Sequence, residues 1–291
     1  MKLVSPRDSD YDSVMYLSLQ STLVAGRLKW PEFAQLAHHV GFPGTDVATV
    51  QAMEHGLAPS KALLSNLNLK PAVCSLPVEW RKDEETFQRE LTQLEPAARF
   101  AAAIGCPRMI TWVMSSSELP KAEQRAVWKK RFQAIARILA PSNVRLGLEF
   151  LGPLHIRKRF PYEFIWRMNE MLEFAKECGP NVGLLLDAWH WHHAGATTAD
   201  IAAAGRDNII NVQVADSPPL AAEKIVDSER LMPGEGVIDW SGFFGALKKI
   251  GYEHGISPEV FGRGLKDMTP EVGAQLGYDT TLAVMKKAGV A

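Results

Sequence analysis

The sequence predicts an α/β fold, a single (β/α)8 TIM barrel, on three observations. Short apolar segments alternate with helix-like ones eight times, several of those segments are apolar throughout, and 291 residues suit one barrel of this kind. A strand buried on both faces reads as an unbroken apolar run, which is what a parallel barrel demands. An open doubly wound sheet would commonly use fewer strands and show a glycine-rich first turn, and neither GxGxxG nor GxxxxGK[ST] occurs.

The elements follow in order. YLSLQS (16–21) leads into the helix WPEFAQLAHHV, and GTDVATV (44–50) into EHGLAPSKALLSNL. KPAVCSLP (70–77) precedes the long helical stretch 83–105, and RMITWVM (108–114) precedes the one at 120–140. RLGLEFLG (145–152) is followed by PYEFIWRMNEMLEFAKECG, and VGLLLDAW (182–189) by TTADIAAAG. IINVQVAD (209–216) connects to DWSGFFGALKKIG, and HGISPEVFG (254–262) to the closing helix 269–289. Many of these helices carry Pro, Ser, Thr or Asp near the start and a glycine just past the end. No linker, low-complexity tract or repeat interrupts the chain, so residues 1–291 read as one domain. The longest strand-to-helix connection, Ser217 to Trp240, is expected to lie over the active face as a functional lid.

Composition narrows the function. Lys plus Arg (32) nearly cancels Asp plus Glu (33), and no run of like charge stands out, so nucleic acid is an unfavoured partner. Cys74, Cys106 and Cys178 are odd in number and patternless, which argues against a disulfide framework and fits a reducing cytoplasm. The opening MKLVSPRDSDYDSVMY puts charges and a proline where a signal peptide needs an apolar core. Nowhere do eighteen apolar residues run together, so no membrane partner is expected.

Four polar residues sit near the C-terminal ends of successive apolar strands: Glu149, Asp187, Gln213 and Glu259. Active sites of such barrels are built at that face. Three carboxylates meeting in a low-dielectric mouth repel one another unless protons or a cation intervene. A divalent cation, Mn²⁺ foremost with Mg²⁺, Co²⁺ or Zn²⁺ also admitted, is the partner these ligand types ask for. His190, three residues past Asp187, can lean over such a site. His155, Arg230 and Glu235 are candidates for gripping a polar substrate, with Trp112 on the apolar side. His192, His193, Trp189 and Trp191 read as packing. Apolar helix positions leave a homo-oligomer open.

The motifs GLEFLGP, GLLLDAWHWHHAG, NVQVADSP, RLMPGEGVIDW and SPEVF resemble the xylose isomerase-like barrel superfamily of sugar phosphate isomerases and epimerases, most strongly from Arg145 to Gly262. The resemblance implies a metal held by Glu149, Asp187, Gln213 and Glu259, with glutamine standing where the common pattern has histidine. It implies that His190 contacts a substrate oxygen, and that Glu149 and Glu259 flank a hydroxy-ketone and move protons through an enediolate. The expected activity is therefore isomerisation or epimerisation of a ketose, inosose or related sugar. A lyase or dehydratase using the same enolate chemistry is the runner-up. A DNA-repair endonuclease of the same superfamily is opposed by the near-zero charge, and a non-catalytic binding barrel by the intact glutamate pair.

Overall fold

The computed structural model describes residues 15–291; the reading of the N-terminus as lacking a signal sequence falls largely outside them. Eight strands run parallel: β1 (Tyr16–Leu19), β2 (Gly44–Val47), β3 (Lys70–Ser75), β4 (Arg108–Val113), β5 (Arg145–Phe150), β6 (Val182–Asp187), β7 (Ile209–Val214) and β8 (Gly255–Pro258). Each pairs with its neighbour in sequence, and β1 closes on β8 through Tyr16 opposite Gly255, so the sheet has no edge. Every one of the eight segments expected to be a strand contains one.

The helices form the outer ring: α1 (Trp30–Val40), α2 (Thr49–His55), α3 (Leu57–Asn66), α4 (Glu84–Leu91), α5 (Leu94–Ala103), α6 (Lys121–Leu139), α7 (Leu154–Arg157), α8 (Met168–Cys178), α9 (Ala188–His193), α10 (Thr198–Ala204), α11 (Trp240–Lys249) and α12 (Pro270–Lys287). In α1 the buried stripe is Trp30, Phe33, Ala34 and Ala37, the spacing of one helical face, and Gly41 ends the helix at φ +100°. Asp83 caps α4 by accepting from the Thr86 N–H at 2.8 Å. Between barrel and helices, Trp80, Phe132, Phe174, Phe164 and Trp128 form a ring of aromatic contacts with centroids 4.5 to 6.1 Å apart. Phe132 is fully buried there, so truncating it to alanine would cost about 3–5 kcal/mol.

Four expectations are corrected. GTDVATV and VGLLLDAW were read too long, since α2 starts at Thr49 and α9 at Ala188 with no glycine or proline to mark either turn. The stretch 83–105 is two helices, broken at Thr92 and Gln93. The helix expected from Pro161 begins only at Met168, because Tyr162–Glu163 pairs antiparallel with Ser116–Ser117.

The connection after β7 is strapped down at both ends. Asp216 is fully buried, and its carboxylate accepts from Ser217 N–H (2.8 Å), Ile238 N–H (3.0 Å), Gly234 N–H (2.8 Å) and Trp240 Nε1 (2.8 Å). Its backbone also exchanges two hydrogen bonds with Leu231. Four donors on one buried carboxylate satisfy it without a countercharge. Gly236 passes so close to the Ser217 carbonyl and the Asp216 carboxylate that a β-carbon has no room there.

Candidate active site

The barrel delivers its inward-facing polar residues to one end. Two adjoining cavities of about 430 and 410 Å³ lie over the C-terminal ends of the strands, and Trp112, Glu149 and Glu259 line both. Gln213 faces the first cavity, and His190, Arg230 and His155 the second. The structure therefore brings together eight of the nine residues singled out from sequence, with Asp187 joined to them through Arg230.

The ninth, Glu235, lies elsewhere. It lines a separate groove beside α12, where its two oxygens take Arg263 Nε at 2.8 Å and Nη2 at 2.7 Å and one also takes the Met232 N–H. There it braces a loop by gripping Arg263, outside the two cavities at which the other eight gather.

Asp187 ends β6 and caps α9, accepting the Trp189 N–H on Oδ1 at 2.9 Å. Its other oxygen receives Arg230 Nη1 at 2.7 Å. The same Nη1 lies 3.2 Å from Glu259 Oε2, and Nη2 lies 3.0 Å from Asp227 Oδ1. The cation that sequence reasoning sought for Asp187 is thus, in the first instance, a guanidinium from the strapped loop. Burial still raises the Asp187 carboxyl, against the pull of Arg230. Glu259, one residue beyond β8, is raised to about 7 by burial, with Arg230 again pulling the other way. Its Oε1 accepts from Gln20 Nε2 at 2.8 Å and Gln213 Nε2 at 3.2 Å. Glu149 on β5 is raised well above the usual carboxylate range by burial and by the nearby Glu259 and Asp187 charges.

His190 is neutral. Both ring nitrogens face donors, the Gly152 N–H at 3.3 Å and Arg230 Nη2 at 3.2 Å. Imidazole can accept on one nitrogen only and imidazolium on neither, and burial, then the Arg230 charge, holds the pKa well below its ordinary value. Gly152 has to be glycine, because a β-carbon would strike the His190 carbonyl. His193 packs its ring edge-on to Trp189 at 4.4 Å and touches Ser217 Oγ at 3.2 Å.

Among the buried side-chain oxygens with no partner among the described residues, two line this site: Glu149 Oε1 and Gln213 Oε1. Ligand atoms of Glu149, Asp187 and His190 also lie within 4.8 Å of one another. Orphaned oxygens in a cluster of carboxylates are what a hard divalent cation satisfies, so the residues fit one. Sequence reasoning missed Gln20, Asp46 and Asp227. Gln20 and Asp46 carry the same signal as the residues it found, a polar side chain at the end of a short strand.

The family model of the xylose isomerase-like TIM barrel matches residues 34–288. An inosose isomerase of Halalkalibacterium halodurans is 24% identical over 80% of this chain and 82% of its own length. A 3-dehydroshikimate dehydratase of Pseudomonas aeruginosa is 32% identical over 94% of this chain but only 42% of that longer protein. Among solved structures, the IolI protein with a bound zinc atom superposes with a TM-score of 0.80 at 21% identity, covering 94% of this chain and 99% of that one, a likeness of fold. With a closed eight-stranded barrel, polar residues gathered at its C-terminal end and a family match across most of its length, the chain belongs to the xylose isomerase-like TIM barrel family.

Proposed function

We propose that the protein is an isomerase or epimerase of an inosose, ketose or related polyhydroxylated ketone, with Glu149 and Glu259 moving the proton on the carbon beside the carbonyl. The observation that carries this reading is that these two carboxyls both line both cavities, while a buried oxygen of Glu149 and one of Gln213 stand unpartnered in the same space. The reading is supported by the inosose isomerase relative.

Glu149, Asp187, Gln213 and Glu259 would hold a divalent cation, with His190 at its border. When bound, such an ion neutralises the clustered carboxylates and stabilises negative charge on substrate oxygens. The rest falls to the chain. One glutamate removes the proton and the other returns one, each within reach of a ligand that bridges the cavities. Arg230 holds Asp187 and Glu259 in place, and His190 lines the same cavity beside it, at the border of the substrate. Trp112 walls the apolar side.

Elimination of water by the same proton abstraction is the second reading, favoured by the dehydratase relative at 32% identity. Both are tested by incubating the protein with an inosose and with 3-dehydroshikimate in D₂O, each with Mn²⁺, Co²⁺, Mg²⁺ or Zn²⁺. Deuterium uptake without loss of water supports the isomerase, and loss of one water the dehydratase. Neither event with either compound would remove the reading. Elemental analysis of wild type beside Asp187→Ala checks the metal, which should be near-stoichiometric in the first and lost in the second.

A further inference from the structure

Asp46 takes no part in the chemistry outlined above, yet it is held more tightly than its surroundings require. It lies on β2 facing into the barrel, and its Oδ1 accepts two hydroxyl protons, from Ser18 Oγ at 2.6 Å and Ser257 Oγ at 2.8 Å. Both serines are fully buried, on β1 and β8. Oδ2 has no partner among the described residues, and the side chain lines the 430 Å³ cavity that Glu149, Gln213 and Glu259 also line. Two donors on one oxygen fix the plane of the carboxyl and present the other oxygen to the cavity. Each serine has spent its only proton and has none left for a ligand.

The surroundings set what Oδ2 can receive. Burial pushes Asp46 up to about 7, with the serine hydroxyls drawing it down, so above that pH it is an acceptor carrying negative charge. Gln51, Ser75 and Thr111 in the same cavity are neutral. Its one arginine, Arg81, is occupied, with Nε 2.9 Å from Glu79 Oε1 and the guanidinium over the Trp112 ring at 4.2 Å. A fixed carboxylate oxygen with no free side-chain cation beside it welcomes a hydroxyl proton and repels an anion.

We propose that Asp46 is a specificity-determining residue, whose Oδ2 accepts a hydrogen bond from a hydroxyl of a neutral polyol ketone at the part of the ligand away from Glu149 and Glu259, and which disfavours ligands carrying a carboxylate or phosphate there. This rests on the reading of the cavity as a polyol-ketone site, and it sets neutral ligands above the carboxylate-bearing dehydratase substrate.

Calorimetric titration at pH 8 of the whole protein, loaded with metal, tests it with two probes, an inosose and 3-dehydroshikimate. The wild type should bind the inosose at least tenfold more tightly. Asp46→Asn keeps the shape and an acceptor for the serines but turns a donor group to the cavity, and should weaken inosose binding by about tenfold to a hundredfold, the usual worth of a hydrogen bond to a charged group. Its affinity for dehydroshikimate should be equal or better. Ser18→Ala, which loosens the carboxyl without removing it, should cost about threefold on that same basis and serves if Asp46→Asn does not fold. A wild type that prefers dehydroshikimate or ignores the inosose overturns the proposal. So does a folded Asp46→Asn, or in its place Ser18→Ala, with inosose affinity unchanged. Asp46-dependent inosose binding without deuterium exchange would sink the isomerase reading and leave this one standing.

Discussion

Replacing Arg230 by methionine probes the charge balance of the site directly. The guanidinium is almost wholly buried and stands 2.7 Å from Asp187, 3.2 Å from Glu259 and 3.0 Å from Asp227. Methionine restores much of the volume but no charge, so the fully buried Asp187 would keep only the Trp189 N–H. Breaking a buried ion pair from one side costs about 3–5 kcal/mol. In a chain of this size that corresponds to a fall in melting temperature on the order of 10 °C. The sign of the pH dependence follows from the carboxyls left behind. Glu259 already sits at about 7 and Asp187 is raised with the arginine present, and losing it raises both further. A carboxyl whose folded pKa exceeds its unfolded one favours the native state below the unfolded value and loses that contribution as pH climbs through the folded value. The deficit of Arg230→Met should therefore be larger at pH 8 than at pH 5. Thermal unfolding of wild type and variant in chelator at both pH values is the assay. A deficit below about 1 kcal/mol at pH 8, or one equal at both pH values, would refute the claim that Arg230 compensates these carboxylates.

Four further outcomes are expected. Glu149→Gln and Glu259→Gln should each lower deuterium exchange at the substrate carbon by at least about a hundredfold, the usual worth of general acid–base catalysis, with substrate affinity far less affected. Gln213→His should bind Zn²⁺ more tightly than wild type in a chelator competition, because imidazole nitrogen is a better zinc ligand than amide oxygen. Glu235→Ala should cost about 1 kcal/mol or less, since its partner Arg263 is well exposed, and should leave turnover as it was. Stability of the wild type should fall as pH rises from about 4 through 7 in part because Asp46 must ionise while buried. Asp46→Asn should remove that share, visible as a flatter pH dependence in urea unfolding.

The barrel was legible because buried parallel strands announce themselves by apolar runs, and each run could be judged locally. What escaped was decided by contacts distant in sequence. Tyr162–Glu163 reads as the start of a helix until Ser116–Ser117 is beside it. Thr49 opens α2 with its N–H donating to the Ser75 hydroxyl oxygen at 3.2 Å, a cap supplied from the next strand. The site was found by one rule, a polar residue at the end of an apolar strand, and that rule was applied only to strands five to eight. Applied to β1 and β2 it would have named Gln20 and Asp46. Glu235 was drawn in by its place in the long connection after strand seven, but nothing in PGEG tells which way the carboxylate faces. Arg230 was read as a substrate grip, and only the fold shows its guanidinium against Asp187.

The clamp at Asp216 separates two demands that a long loop usually confuses. Leu231 is tied to the Asp216 backbone and the Arg230 N–H to the Phe261 carbonyl, so the arginine reaches Asp187 from an anchored point. The stretch 218–224, ahead of the buried Ile225 and of Asp227 on the Arg230 guanidinium, lies mostly exposed between these fixtures and can change in length or sequence with little effect on the charge balance below. Insertions and deletions accepted there would let related chains, or a designer, reshape the rim against new substrates while the acid–base machinery stays as built.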